Sequence, residues 1–422
     1  MKNVVLLMWH NCYEYLKKYL GLFDSDFLFY IHIDKCCPIS QEEFSLISRK
    51  QNVKFIIKQD AISTYELLGA EMLLISEVIK ERKIQYVLFL NDSIYPIKDI
   101  DKIKAFFKFK TSQCIYSSYT YSNGVYLKTG SFCKAITFDC LKTIYLDFIN
   151  QTVQRKTSEN IFWIAEVARR NYEIFDLPLF YSNTAKKHLG IEDFGEILIA
   201  DYLFAQQIDY KESALLIKTI DQLVLYQENI EYFSNGIWKT KGLSGHCFDM
   251  SLAKTLKNIA TALQIHDIAD FGCGPGWYTY FLYKSGIQVN GYDGNPNVEY
   301  ISSLLFNNEY HCQCLDLTEA FEIDIPFEMI LCLEVGEHIP KKSEDTFIRN
   351  LVKNASKFIL ISWAIPGQKG DGHVNCHTNT YVIEKFAKLG WYYNKTMSSL
   401  LRYESNLLWF KDTLMFFERI DK

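Results

Sequence analysis

The sequence is poor in proline, with eight prolines among 422 residues, and it lacks a Pro- or Ser-rich linker and an internal repeat. No stretch approaches the roughly 18 uninterrupted apolar residues of a membrane-spanning helix, so no membrane span is expected. Lysine and arginine are spread along the chain without a basic block, and the net charge is −5. A nucleic acid is therefore not an expected partner.

The twelve cysteines lack the spacing of a structural zinc site. The close pairs are Cys36-Cys37 and Cys312-x-Cys314, and neither has the two-residue gap of a CxxC pair. Several other cysteines lie inside apolar runs that are typical of strands. We interpret the cysteines as free, buried thiols, which favours a reducing compartment and predicts a cytoplasmic location.

What the chain does contain is apolar residues, 49% of the total, which are enough for two buried cores. Apolar strands alternate with helical patterns along the first part of the chain. The predicted strands are Val4–Met8, Phe27–Ile33, Val53–Ile57 and Tyr86–Leu90, and the predicted helices lie near 13–20, 40–49 and 64–81. This alternation predicts an α/β domain with a largely parallel sheet and helices on both faces. The pattern stops near 211–240 and restarts, which predicts two domains, 1–225 and 226–422.

The most informative stretch is IADFGCGPGW, in which an apolar strand ends at Asp270 and enters a turn containing Gly272, Gly274 and Gly276. Three glycines this close together indicate a backbone that a ligand approaches closely, because side chains would block that approach. The next strand ends in Asp293, where a carboxylate can accept hydrogen bonds from a ribose. These features predict an adenosine-bearing cofactor.

The glycine turn resembles motif I of class I S-adenosylmethionine-dependent methyltransferases. A carboxylate at Asp270 would repel a pyrophosphate but suits a cationic amino-acid tail. The resemblance continues in GYDGN at 291–295, LDL at 315–317 and MILCLEVGEHIP at 329–340. It implies S-adenosylmethionine as the cofactor, bound by Asp270, Gly272, Gly274, Gly276, Asp293, Asp316 and Glu334. It also implies a seven-stranded Rossmann-like sheet that closes with antiparallel strands at Leu407–Phe410 and Thr413–Arg419.

Methylation of a hydroxyl requires removal of its proton, and histidine is the first candidate for that base. His338, His373 and His377 fall in loops that follow the fourth and fifth strands of this domain. We predict that His373 is the base and that His338 is the second candidate; the alternative is that the histidines only order the loops. Asp371 and Asn375 are expected to project into the site. No metal is expected, although a carboxylate beside these histidines is an alternative site for a divalent cation that binds vicinal sugar hydroxyls.

In the first domain, polar residues follow two predicted strands, in YIHIDK and in FLNDSIYPIK. Open α/β sheets bind ligands at such strand ends. Residues 3–110 resemble the core-2/I-branching N-acetylglucosaminyltransferase and xylosyltransferase family, whose members show a strand running into HIDKK and another running into SGxDYPL. The resemblance implies a glycosyltransferase A-type, Rossmann-like fold without a metal-binding DxD. It places the nucleotide sugar at His32, Asp34, Asp92 and Ser93.

Two further features of the first domain belong to the same resemblance. A helix begins at Ser63 or Thr64, either of which is a plausible N-cap. The segment SENIF, residues 158–162, resembles the block that carries the family's catalytic carboxylate, which makes Glu159 the candidate base.

The two resemblances together predict a bifunctional glycan-modifying enzyme. Its first domain would transfer a sugar from a nucleotide sugar, and its second would methylate a sugar hydroxyl of the glycan acceptor. One alternative is a methyltransferase whose first domain only binds carbohydrate or serves as a scaffold. Another is a methyltransferase that acts on a protein or a small molecule.

Overall fold

The computed structural model describes residues 2–59, 64–109, 114–116, 120–122, 125–127, 134–150, 170, 174–176, 180–181, 186–199, 203–205, 207–225, 231–243, 245–306 and 309–420. The chain forms two compact units, the first comprising Met1–Gly190 and Asp201–Lys218 and the second Ile191–Ala200 and Thr219–Lys422. The domain division after residue 225 stays a prediction. Ser63 and Glu159, predicted as a helix cap and a base, lie outside the described residues.

The strands of the first unit are short beyond residue 91. In chain order they are β1 Lys2–Trp9, β2 Phe27–Asp34, β3 Val53–Gln59, β4 Ile84–Asn91, β5 Tyr95–Pro96, β6 Cys114–Tyr116, β7 Thr120–Ser122, β8 Val125–Leu127, β9 Lys134–Thr137, β10 Ile174–Asp176, β11 Phe180–Tyr181 and β12 Phe204–Ala205. The strands of the second unit are β13 Glu231–Tyr232, β14 Trp238–Lys239, β15 Asp267–Phe271, β16 Gln288–Asp293, β17 Cys312–Cys314, β18 Phe327–Cys332, β19 Ala355–Ile361, β20 Trp391–Tyr393 and β21 Met415–Arg419.

The helices alternate with these strands along the chain. The α-helices are α1 Tyr13–Gly21, α2 Gln41–Ser48, α3 Thr64–Val78, α4 Ile100–Phe109, α5 Phe138–Ile149, α6 Phe194–Ile199, α7 Ala214–Ile220, α8 Met250–Ala262, α9 Trp277–Lys284, α10 Val298–Ser303, α11 Glu344–Asn354, α12 Asn379–Lys388, α13 Lys395–Glu404 and α14 Phe410–Thr413. Short 3-10 turns cover Ile191–Asp193 and Lys341–Ser343, and a π turn covers Asp221–Leu225. None of the helices in the described ranges has the length and apolarity needed to cross a membrane.

The main sheet of the first unit has the order β10-β6-β9-β4-β1-β2-β3. Strands β4, β1, β2 and β3 run parallel, while β9 runs antiparallel to β4 and β6. The central strand β1 is apolar and buried from Val4 to Trp9, as expected for a strand covered on both faces. The predicted βαβ alternation and largely parallel sheet are confirmed.

The sheet of the second unit has seven strands in the order β17-β16-β15-β18-β19-β21-β20. All neighbours pair in parallel except β21, which is antiparallel to β19 and β20. The chain moves outward from β15 in one direction to β17 and then returns to β18 on the other side. Ligands of open α/β sheets bind at such a switch point, beside the carboxyl ends of the strands.

The predicted strand Leu407–Phe410 is wrong, whereas an antiparallel strand near Thr413–Arg419 is confirmed as β21. The buried carboxylate of Asp249 accepts hydrogen bonds from the hydroxyl of Ser405 and from the backbone N–H groups of Asn406 and Leu407. These donors are therefore not available to a sheet, and the chain turns into α14. The second antiparallel edge strand is β20, earlier in the chain.

The described cysteines are free thiols. The prediction that they are buried is right for Cys37, Cys140, Cys273, Cys312 and Cys332, which pack among apolar side chains. It is wrong for the exposed cysteines, Cys36, Cys247 and Cys314.

Candidate functional site

A cavity of about 380 Å³ lies in the second unit. Its wall includes the glycine turn after β15, the ends of β16 and β18, and the loop of residues 368–373. Residues 236–238, which connect β13 and β14, line another side. The cavity therefore occupies the switch point of the seven-stranded sheet, where the topology predicts a ligand.

The glycine turn has a backbone that side chains rarely adopt, because Gly272, Gly274 and Gly276 have φ angles of +81°, +54° and +89°. A Cβ at Gly274 would also lie 2.5 Å from the ring of His246. The carboxylate of Asp293 accepts a 2.8 Å hydrogen bond from the Gly274 N–H. The turn is thus held open by its glycines and fixed to the end of β16.

Asp270 lies beneath this turn and is 3% exposed. Burial raises the pKa of its carboxyl to about 7, although a hydrogen bond from the Thr279 hydroxyl, 2.9 Å long, opposes the rise. The negative charge of Asp293 raises the pKa further. A cation bound nearby would favour the ionised form of Asp270.

The carboxylates of Asp293 and Asp316 already hold backbone turns in place. The second oxygen of Asp293 accepts from the Asn295 N–H at 2.8 Å. Asp316 accepts from the N–H and hydroxyl of Thr318 through one oxygen, and from the Asn235 side chain through the other. Because a carboxylate oxygen has two acceptor sites, Asp293 retains capacity for the two hydroxyls of a ribose.

Glu334, directly beyond β18, has the left-handed φ of +53°. Such a conformation is strained for glutamate and is concentrated at functional sites. Its backbone N–H donates to the Ser362 hydroxyl at 2.8 Å, and its carboxylate accepts from the Gln368 amide at 2.6 Å. Burial raises the pKa of Glu334, although hydrogen bonds from the side chains of Ser362, Gln368 and Thr413 to its carboxyl oppose the rise. The cavity wall therefore holds Glu334 by both its backbone and its side chain.

His338 and His373 both line the cavity, as predicted, and their ring centroids are 5.1 Å apart. Between them lies a residue that the sequence reading missed, Glu337, which is fully buried. One ligand atom from each of the three residues lies within 4.8 Å of the other two. The sequence does contain a pattern that indicates this cluster, the ExxEH spacing of EVGEH. This spacing places two carboxylates and a histidine on one tight turn.

Burial, together with the charge of His373, lowers the pKa of His338 to about 4. Burial raises the pKa of Glu337 well above its usual range, with an added rise from the charge of Glu334. The cluster is therefore a buried, electrostatically crowded group of side chains on the cavity wall.

His377 and Asn375, expected near the reacting centre, face a different part of the unit. His377 Nε2 lies 2.8 Å from a carboxylate oxygen of Glu344, and its ring stacks on Tyr381. The Asn375 amide donates to the same carboxylate at 3.0 Å. The expectation that Asn375 projects into the site is wrong, because its side-chain amide donates to the buried carboxylate of Glu344 and does not line the cavity. Asp371, by contrast, lines the cavity.

Three aromatic residues of the cavity were also missed, His246, Trp238 and Trp277. The indole N–H groups of Trp238 and Trp277 are buried and have no hydrogen-bond partner among the described residues. Trp238 packs edge-on against both His246 and His338. Trp277 ends the glycine motif itself, but no spacing in the sequence links Trp238 and His246 to that motif, since residues 231–247 precede it.

In the first unit, the predicted nucleotide-sugar residues lie at or near the carboxyl ends of β2 and β4, beside β1. His32 is 2% exposed inside β2, and burial lowers its pKa. Asp34 ends β2 and accepts from the Cys36 N–H. Ser93 donates its hydroxyl to Asn91 at 2.7 Å.

Asp92 binds the loop after β1, accepting from the His10 N–H at 3.1 Å and from the Asn11 amide at 2.9 Å. The His10 ring lies 3.6 Å from the other Asp92 oxygen, and hydrogen bonding to Asp92 raises the pKa of His10. His10 is thus a further polar residue of this sheet edge, which its sequence context did not reveal.

No protein-family model matches the sequence, and no curated protein matches it. Solved structures similar to 40% of this chain include magnesium protoporphyrin IX methyltransferase from Synechocystis PCC 6803 with bound SAM, at 16% identity over 77% of that chain with a TM-score of 0.31. Another is N-methyltransferase NodS from Bradyrhizobium japonicum WM9 with S-adenosyl-L-homocysteine, at 16% identity over 86% of that chain with a TM-score of 0.30. No conclusion rests on likenesses of this extent.

Proposed function

We propose that the second unit is an S-adenosylmethionine-dependent methyltransferase. The observation that carries the proposal is the glycine turn, whose three left-handed glycines stand at the switch point of the sheet and are fixed by Asp293. A turn of this kind lets a ligand approach the backbone closely. The carboxylate at the end of β16 is suited to the hydroxyls of a ribose.

The side chains around the cavity fit such a cofactor. Asp270, with its pKa raised by burial, and Asp293 supply negative charge for an ammonium group or a sulfonium. The unpartnered indole N–H groups of Trp238 and Trp277 are donors for a carboxylate or for a ring nitrogen. We propose that Gly272, Gly274, Gly276, Asp316 and Glu334 complete the cofactor site.

S-adenosylmethionine supplies a methyl group that moves to an acceptor atom as its carbon–sulfur bond breaks. The chain must hold the acceptor in line with that bond and accept its proton. His373 and His338 are the proposed groups for the acceptor side, because both line the cavity beside Glu337. The strained backbone of Glu334 and its hydrogen bond to Gln368 keep this wall rigid.

The test is mass spectrometry of the products formed by the full chain with S-adenosylmethionine and a panel of nucleotide sugars and glycosides. The expected product is an acceptor heavier by one methylene unit, formed together with S-adenosylhomocysteine. Gly274→Val is the matched negative control. A folded protein that binds no S-adenosylmethionine would overturn the proposal.

For the first unit we propose sugar transfer from a nucleotide sugar, so that one active site supplies the substrate of the other. Joining two such sites in one chain raises the local concentration of the intermediate. Support comes from the positions of His32, Asp34, Asp92 and Ser93 at or near the carboxyl ends of β2 and β4, the two strands that flank β1. Hydrolysis of a nucleotide sugar by the chain would separate this proposal from a first unit that only binds carbohydrate.

A further inference from the structure

The carboxylate of Glu337 is the most unusual buried group in the second unit. It is 0% exposed, and neither of its oxygens has a hydrogen-bond partner of normal geometry among the described residues. The backbone of Glu337 itself and of Ala364 interacts with the carboxyl only weakly. A buried carboxylate without partners is costly, because its desolvation is not compensated. A cation bound beside the carboxylate would offset this cost.

The two histidines beside Glu337 are oriented as metal-binding histidines are. His338 Nδ1 lies 3.2 Å from the carbonyl oxygen of Gly372, and His373 Nδ1 lies 3.2 Å from that of Gln368. A ring that donates its Nδ1–H to a carbonyl carries a free lone pair on Nε2. Such a backbone hydrogen bond is the usual way in which a protein fixes the tautomer of a ligand histidine.

The position of the His373 ring depends on a glycine. A Cβ at Gly370 would lie 2.1 Å from His373 Nε2 and 2.4 Å from its Cε1. Because this Cβ would be similarly close to two adjacent ring atoms, it would lie over the face of the ring. It would not lie in the ring plane, where the Nε2 lone pair points. Residue 370 therefore has to lack a side chain for His373 to hold this position, with its Nε2 4.0 Å from Glu337.

We propose that Glu337, His338 and His373 bind a divalent transition-metal cation, of the manganese-to-zinc series, on the wall of the cavity. Two imidazoles and a carboxylate are ligands that such cations accept. One ligand atom of each residue lies within 4.8 Å of the other two, so the three atoms can surround a single cation. All three residues line the same cavity, so the remaining coordination positions open into it.

This site also indicates the acceptor, a step that rests on the proposed methyltransferase function. A hydroxyl oxygen bound to a divalent cation has a lowered pKa and loses its proton near neutral pH. The acceptor is then an alcohol whose hydroxyl oxygen binds the cation. A vicinal diol would bind the cation through both of its oxygens. His338 and His373 act as ligands in this arrangement and do not serve as the base. The hydroxyl proton passes to solvent water in the cavity, and the oxygen then bonds to the methyl carbon as the carbon–sulfur bond of S-adenosylmethionine breaks and S-adenosylhomocysteine leaves.

The test is calorimetric titration of the EDTA-stripped full chain with MnCl2, CoCl2 or ZnSO4. The expected result is one cation per chain for the wild type. Glu337→Gln and His373→Gln should weaken binding by more than the roughly 10- to 100-fold that loss of a supporting hydrogen bond costs. Gly370→Ala should also weaken it, because it displaces His373 but keeps every ligand atom. His311→Gln, which removes a histidine paired with Glu309 outside the cavity, is the matched control.

Thermal unfolding provides a second measurement of cation binding, which can also be made on variants of reduced stability. The cation should raise the melting temperature of the wild type and of His311→Gln but not that of Glu337→Gln. Azide, added to the cobalt-loaded chain, should change the visible spectrum if open coordination positions face the cavity. A wild type that binds none of the three cations, or a Glu337→Gln variant that binds them as tightly, would overturn the proposal.

Titration with S-adenosylhomocysteine in the presence of EDTA tests the proposed cofactor site independently of the proposed cation site. Cofactor binding that persists without a cation is expected, since the glycine turn and Asp293 are not ligands. A chain that binds the cation but not S-adenosylhomocysteine would refute the methyltransferase proposal and leave the cation site standing.

Discussion

Asp293 is a key residue of the proposed cofactor site. Its two oxygens hold the Gly274 and Asn295 N–H groups and retain acceptor capacity for a ribose. Its place was predictable, because a strand ending in an acidic residue after a glycine turn is a strong local pattern. The sequence also pointed to His373 and His338, which line the cavity and whose role stays a prediction, but not to Glu337, which is buried beside them. Burial of a glutamate is decided by packing and not by local sequence.

Replacing Asp293 with alanine should weaken S-adenosylhomocysteine binding roughly 10- to 100-fold, equivalent to about 1.5–3 kcal/mol. The loss has two sources, the hydrogen bonds to the ribose and the anchor of the Gly274 N–H. Calorimetry on the purified chain measures it. Asp345→Ala removes an exposed carboxylate that pairs with Lys385, and this control should bind like the wild type. Equal affinities for the two variants would remove Asp293 from the site.

Glu344 predicts a pH dependence of stability. Burial alone would raise the pKa of its carboxyl, but hydrogen bonds from Lys341, Tyr381, Asn375 and His377 lower it to about 2. Because the folded pKa lies below the ordinary value of 4.5, the ionised group stabilises the fold above pH 4.5. That contribution is lost as the pH falls from 4.5 through 2.

Glu344→Gln should therefore reduce the free energy of unfolding by about 1–3 kcal/mol at pH 6. Urea unfolding of variant and wild type, repeated from pH 6 down to pH 2.5, should show the difference shrinking on the acid side. Glu322→Gln, which removes an exposed partner of Lys353, should change little at any pH. A difference that stays constant across this range would mean that the charge of Glu344 does not stabilise the fold.

At the scale of elements, the glycine turn between β15 and α9 was predictable and the end of the sheet was not. Three glycines in five residues after an apolar strand specify the turn locally. The end of the sheet, where β21 pairs with β19 and with the edge strand β20, forms by contacts between distant residues. Likewise, the segment at 405–407 is held by Asp249, which also caps the N-terminus of α8. The same apolar residues could have formed a strand without that carboxylate. The local sequence pattern therefore predicts elements that are determined by their own residues, such as the glycine turn. It does not predict elements that depend on contacts with distant residues.

Gly274→Val should abolish measurable cofactor binding, because the valine would need a φ of +54° and would meet the ring of His246. Removing the ring as well, in Gly274→Val/His246→Ala, should relieve the collision but not the backbone strain, and binding should stay lost. Calorimetry with S-adenosylhomocysteine decides the outcome.

Gly390→Ala is the control for backbone strain alone, since Gly390 has a φ of +86° and no atom within 4 Å of its Cβ position. It should cost roughly 1–3 kcal/mol of stability and leave binding intact. Restored binding in the double variant would mean that His246, and not the turn itself, decides access to the cavity.

At the scale of the whole molecule, the chain contains two α/β units, each with polar side chains at the carboxyl edge of its sheet. The alternation of strands and helices indicated this arrangement for both. Residues 231–247 were not recognised as part of a site, although Trp238 and His246 line the cavity. Their role follows from tertiary packing, which no spacing in the sequence records.

If the first unit transfers sugar as proposed, without a bound metal, turnover of its donor should persist in excess EDTA. Glu159→Gln should reduce that turnover roughly 100- to 10,000-fold, as expected when a general base is removed. Assays of nucleotide release from a panel of nucleotide sugars measure both effects. Strict dependence on manganese would instead make Asp34 or Asp92 a metal ligand.

The central claim is that the cavity at the switch point of the second sheet holds S-adenosylmethionine. The most direct measurement is calorimetric titration of the full chain with S-adenosylhomocysteine, followed by displacement with S-adenosylmethionine. The account predicts saturation at one molecule per chain, with binding lost in Gly274→Val and retained in Gly390→Ala. A folded wild type that gives no binding, or a Gly274→Val variant that binds equally well, would contradict it.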